Sequence, residues 1–257
     1  MSFGGSISGF RCKSLDVSHE DRDLIERYGG VVLDVNTQID WSHSYEESGF
    51  TYYVIPLNGV DFEFVKVPGR KLFFGLGGRD PGYFMMSHWV TQGQWLAVMG
   101  VNPAAFAGRG LDLPIESVSY NDIVNHFLPR LNGLLQEAGF EGEFQLPSND
   151  QWQRMADKNV ALDFALNKSK YSDFGQSSHS GQPIPVKSKV RGKLGAWMFG
   201  GVWEFVGIFN AYGFVDMGGG GWCSGAQDVG PCSGDWFRCD DRYHCRYVGF
   251  RLLRTFP

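Results

Sequence analysis

The side chains with the most chemical potential in this 257-residue chain are five cysteines, Cys12, Cys223, Cys232, Cys239 and Cys245. Four of them fall in one short C-terminal window, and the odd number leaves at least one thiol unpaired within the chain. Such thiols could bind a soft metal, pair as disulfides or attack a substrate. Zinc needs nitrogen and sulfur donors in a compact tetrahedron. Cys239, His244 and Cys245 would supply part of that set, but the sequence holds no Cys-x-x-Cys pair.

The window itself has another character. From 223 to 247 neither helical nor strand periodicity persists. Tyr, Phe, Trp and Arg alternate with Ser, Gly and Asp, the mixture that builds antibody paratopes: stiff rings give contact area and small polar residues adapt. Aromatic residues and Arg are also the usual anchors of interfaces. The candidate ligand-binding residues are therefore Cys223, Ser224, Gly225, Asp228, Ser233, Asp235, Trp236, Phe237, Arg238, Cys239, Asp240, Asp241, Arg242, Tyr243, His244, Cys245, Arg246 and Tyr247. Trp236, Phe237, Tyr243 and Tyr247 are the expected anchors. Arg238, Arg242, Asp240 and Asp241 are expected to tune partner choice.

These residues need a scaffold to hold them. The segments 31–35, 51–55, 62–67 and 71–75 read as strands, with Pro68-Gly69 as a turn between the last two. A short helix is expected from Ser18. Thr91 caps a helix through Met99. Ser119 opens another to about Leu135, with a bend at Pro129. Ser148-Asn-Asp-Gln151 is a capping box for a third. Residues 168–192 read as a long loop, and Tyr247 onward as a buried strand. A high Gly count of 35 with 15% aromatic residues fits an irregular, loop-rich chain held by large rings. The formal charge of −5 carries no basic stripe and gives no footprint for nucleic acid. No apolar run is long enough to span a membrane, and the opening residues lack the parts of a signal peptide.

From about Phe62 the motifs occur in a recognisable order. They are Phe64-Val-Lys-Val-Pro-Gly, Val90-Thr-Gln-Gly-Gln-Trp, Pro114-Ile-Glu-Ser-Val-Ser-Tyr, Leu146-Pro-Ser-Asn-Asp-Gln-Trp, Gly200-Gly-Val-Trp-Glu-Phe, Gly219-Gly-Gly-Trp and Gly249-Phe-Arg. The succession resembles the formylglycine-generating-enzyme (sulfatase-modifying factor) family. That resemblance implies an α+β domain with a C-type lectin-like fold: a small antiparallel sheet, two main helices and much irregular chain. The family's copper enzyme oxidises a substrate cysteine with two cysteines a few residues apart. Here Cys223 and Cys232 are nine apart with Gly230-Pro231 between them, whereas a soft copper(I) ion needs close thiolates. Gly201 stands where the family has the Asn that helps hold calcium. The six histidines show no His-x-x-x-His-x-Glu pattern of the family's iron enzymes. No catalytic residue, metal or cofactor is therefore expected.

The window also resembles the diversified region of variable proteins made by diversity-generating retroelements. There, mutated Asn codons yield Ser, Gly, Asp, Cys, Phe, Tyr, His and Arg, but never Lys, Glu, Met, Gln or Trp. The window contains no Lys, Glu or Met and lies just before Gly249-Phe-Arg. Gln227, Trp222 and Trp236 would then be fixed positions. The reading that follows is a non-enzymatic binding protein at the cell surface or secreted, with an unknown protein or surface ligand as partner. It is expected as a monomer that binds no nucleic acid. Residues 1–59 are expected to pack on a domain of 60–257, and the window cysteines to be mostly free. A copper oxidase acting on a substrate cysteine is the alternative.

Overall fold

The computed structural model describes residues 44–71, 79–140, 142–156, 181–188, 191–192, 194–199, 201–207, 215–221 and 237–255, the backbone alone at 70, 71, 79, 80, 237–239 and 255. The expected Ser18 helix, the strand at 31–35 and most of the 168–192 loop lie outside these residues.

Ten strands and three helices occur among the described residues. A six-stranded antiparallel sheet has the order β1-β2-β3-β4-β10-β5. Its strands are β1 (Ser44–Glu47), β2 (Phe50–Leu57), β3 (Val60–Lys71), β4 (Arg79–Met86), β5 (Phe144–Gln145) and β10 (Leu253–Thr255). A second sheet has the order β8-β7-β6-β9. It holds β6 (Trp203–Val206), β7 (Val215–Gly218), β8 (Phe237–Cys239) and β9 (Val248–Gly249). β9 runs parallel to β6; the other pairs are antiparallel. The C-terminal strand β10 lies beside β4, with β3 one strand further out. Residues 44–57 hydrogen-bond into the same sheet as β3.

Side chains of a strand alternate between faces, and β3 uses both. Phe62 and Phe64 enter one apolar cluster with Trp95, Phe127, Leu131 and Phe250. Val65 and Val67 enter another with Tyr83, Met85, Trp152 and Met155. The first cluster is covered by helix α1 (Gln92–Met99) and by α2 (Leu128–Glu137), the second by α3 (Asn149–Ala156). Trp95 stacks on Phe127 at 4.9 Å and meets Phe250 edge-on at 6.1 Å. Such ring pairs prefer these offset and edge-to-face geometries.

The local signals for helices hold. Thr91 Oγ1 accepts from Gln94 N–H at 3.1 Å, and Gln94 Oε1 accepts from Thr91 N–H at 2.8 Å. Ser148 and Gln151 repeat that box at 3.2 and 2.8 Å. The long second helix is less regular than its spacing predicts. Its first part, Asp122–Phe127, is π-helical, and Leu128 N–H donates to Ile123 O. The wider register leaves room where the Pro129 ring would otherwise press on the carbonyl four residues back. The expected turn at Pro68-Gly69 is corrected: β3 continues through both residues to Lys71. Pairing with β2 ends at Val65, so Pro68 has a strand partner on the β4 side alone, an edge-like position that tolerates proline.

Candidate functional site: the 240–247 crossing

In the second sheet β8 and β9 are opposite edges. Residues 240–247 connect them, so this segment must cross three inter-strand spacings, roughly 14 Å. Eight residues are longer than that span, and two turns take up the excess, with Tyr243 N–H donating to Asp240 O and Val248 N–H to Cys245 O, both at 3.3 Å. Burial alternates along the segment. Asp240, Arg242, His244 and Arg246 are exposed, whereas Asp241, Tyr243, Cys245 and Tyr247 are half-buried.

The inward set is anchored. Tyr243, Cys245 and Tyr247 pack against the main core, and Tyr247 also touches the smaller cluster of Trp89, Val186, Trp197 and Val202. The two phenol oxygens are 3.0 Å apart. Asn121 Nδ2 donates to Asp241 Oδ2 at 2.9 Å. Backbone bonds fix the register: Asn121 N–H to Asp241 O at 3.0 Å, Ser117 N–H to Cys245 O at 3.0 Å and Trp203 N–H to Tyr247 O at 2.8 Å. Asp240 adds a local turn, accepting from Arg242 N–H at 2.9 Å.

Beneath the crossing lies a fully buried carboxyl, Glu116. It accepts from Phe106 N–H at 3.0 Å and from the Ser117 hydroxyl at 2.7 Å. Burial raises its pKa above the ordinary carboxylate range, against these donors and the charge of Arg246. Ser117 takes a left-handed φ of 60°, which turns its N–H to the crossing. Sequence reading missed Glu116, Ser117 and Asn121 as parts of this platform. The Pro114–Asp122 stretch was legible as a helix entry, but a lone loop carboxylate has no periodic signal.

Of the candidate residues, Cys223, Ser224, Gly225, Asp228, Ser233, Asp235 and Trp236 lie outside the described residues. Phe237, Arg238 and Cys239 form β8, described by backbone alone. The other eight form the crossing. Cys245 is a free thiol. Burial raises its pKa, so it stays protonated and unreactive at neutral pH. Burial and the bond to Tyr247 likewise raise the pKa of Tyr243. Among the described residues no three His, Cys, Asp or Glu side chains gather as metal ligands do. A Cβ on Gly201 would come within 3.0 Å of the Trp89 ring, so an Asn there would displace that ring. No helix among the described residues is long and apolar enough to cross a membrane.

The fold has known counterparts. Treponema denticola variable protein 1 superposes with a TM-score of 0.63 at 18% identity, covering 83% of this chain and 99% of that one. CarF gives 0.56 at 16% identity, covering 76% and 99%. PvdO from Pseudomonas aeruginosa gives 0.54 at 15% identity, covering 84% and 99%. At these identities the likeness is one of fold. No curated protein matches by sequence. The Sulfatase-modifying factor enzyme 1-like domain family matches residues 7–256, well upstream of the first motif near Phe62. With the motifs, the lectin-like fold and a match over nearly its whole length in agreement, the chain belongs to the sulfatase-modifying factor enzyme 1-like family.

Proposed function

We propose that this chain is a ligand-binding protein without catalytic activity, acting at the cell surface or in secreted form, whose C-terminal window from about 222 to 247 forms the binding face. One observation carries the reading: residues 240–247 present every second side chain outward while backbone bonds from Ser117, Asn121 and Trp203 hold the segment in place. Outward residues can then change without loss of the fold, as a variable binding surface requires. The fold shared with a protein named variable protein 1 supports diversification of these positions by a retroelement. Arg242, His244 and Arg246 make the described part of the face a set of donors suited to an acidic or aromatic epitope. The domain works as a monomer, with residues 1–59 packed on the 60–257 domain.

The test is a display library varied at Arg242 and His244. Members should keep the melting temperature of the parent while acquiring different partners. Loss of folding in most members would refute the reading. A near-copy of the 3′ end of the gene beside a reverse transcriptase gene would establish the diversification. Copper-dependent oxidation of a substrate cysteine would instead establish the enzymatic alternative.

A further inference from the structure

A concavity of about 520 Å³ shares no lining residue with the 240–247 crossing. Its size falls among those of small-molecule sites. It lies where the start of β3 and the end of β4 meet the N-terminal end of α1 and residues 185–188. One wall holds His88, which is 3% exposed. Its Nδ1 sits 2.7 Å from Trp89 O. A carbonyl only accepts, so Nδ1 carries the hydrogen and Nε2 is left as an acceptor. Among the described residues Nε2 has no hydrogen-bond partner. Burial pushes the His88 pKa down to about 4, so the ring keeps this form at neutral pH.

Beside it is Lys187. One of its hydrogens goes to Glu63 at 2.8 Å, and its side chain remains 46% exposed. Glu63 is itself nearly buried and also accepts from Ser87 Oγ at 2.5 Å and from the Tyr45 hydroxyl. These bonds fix the ammonium and leave its other hydrogens for a ligand. The α1 terminus offers nothing to an anion, because its first amides are taken. Gln92 N–H donates to Leu113 O and Gly93 N–H to Leu111 O, both at 2.9 Å. Thr91 and Gln94 N–H are used by the capping box. Asp61 and Asp112 line the concavity as well and oppose an anion. Lys187 opposes a cation.

We propose that this concavity is a second binding site, for an uncharged hydroxyl-bearing small molecule of about monosaccharide size. A hydroxyl both donates and accepts, so one such group serves His88 Nε2 and the Lys187 ammonium together. The acidic residues accept from further hydroxyls. Val60, Leu111 and Val186 give the ligand's C–H surface an apolar wall. The proposal does not depend on the function assigned to the C-terminal window.

The experiment is an NMR titration of the full chain, read at the His88 ring signals. The neutral probes are glucose, ribose, myo-inositol and glycerol; glucosamine and glucuronate are the charged counterparts. At least one neutral probe should shift His88 and bind about tenfold tighter than either charged ring, a difference of about 1.4 kcal/mol. Ser188→Trp, at the exposed rim, should abolish the shift, and His88→Phe should abolish the heat of binding in calorimetry. Arg242→Ala should leave it unchanged. If His88→Phe fails to fold, Ser188→Trp decides alone. No response to any neutral probe at ~10 mM, tighter binding of a charged ring, or an unaltered response in Ser188→Trp would each overturn the proposal.

Discussion

At the scale of single residues, adjacent positions in the crossing have opposite roles. Arg242→Ala and His244→Ala remove exposed side chains, so each should change stability by less than about 0.5 kcal/mol. Tyr247→Ala strips a ring from two apolar clusters and removes the partner of the Tyr243 hydroxyl. It should cost about 1–2 kcal/mol, seen as a lower urea midpoint. The tyrosines that composition marked as anchors for a ligand are therefore first supports of the platform. Composition shows that rings and small polar residues occur together, but only the backbone bonds and turns that seat the crossing decide which point outward. His88 gives a pH dependence. Its folded pKa, about 4, lies below the ordinary 6.5. Its contribution is fully present above pH 6.5 and is lost as pH falls through 4, because the unfolded ring takes up its proton first. The whole effect amounts to about 3 kcal/mol. Urea unfolding between pH 7 and 4.5 should show this fall in the parent protein and a flatter profile in His88→Asn.

At the scale of elements, the helix caps were legible, Thr91 as a cap and Ser148–Gln151 as a full box, since they depend on side chains at most three residues apart; the return bond from Thr91 N–H to Gln94 came from the structure. Thr91→Ala should destabilise by about 1 kcal/mol, measurable as a shifted denaturant midpoint with an unchanged slope. The π-helical stretch before Pro129 and the passage of β3 through Pro68-Gly69 were not legible. Each depends on what lies beside the element. Gly249 in β9 is a similar case. A Cβ there would come within 2.4 Å of Ile115 O, so the glycine is required by a neighbouring loop and not by its own strand. Gly249→Ala must push the 114–117 loop away from the crossing. It should cost about 1–3 kcal/mol and, by the proposed function, weaken ligand binding as well.

At the scale of the whole molecule, Arg251 joins the two sheets. Its guanidinium reaches Glu204 on β6 with Nε at 2.5 Å and Nη2 at 2.8 Å, Met86 O on β4 at 3.2 Å, and Trp197 O at 2.8 Å. Trp152 Nε1 of α3 donates to the same carboxylate at 3.0 Å. Burial raises the Glu204 pKa while Arg251 opposes the shift. Arg251→Leu would leave that carboxyl buried without its cation and should cost about 3–5 kcal/mol. Glu204→Leu with Arg251→Leu should recover part of the loss, which denaturant unfolding of the two variants would measure.

The sequence by itself determined the family, the lectin-like α+β architecture, the helix caps and the presence of a ring-rich, aperiodic window before Gly249-Phe-Arg. These follow from contiguous residue patterns, which survive in order along the chain. Only the tertiary structure decided that Glu204 and Arg251 pair with each other across two sheets. Only it decided that Glu116, Ser117 and Asn121 support the crossing, that alternate residues from 240 to 247 face outward, and that His88 and Lys187 share a concavity. Each of these joins residues far apart in the chain, where spacing carries no information and packing alone sets the contact.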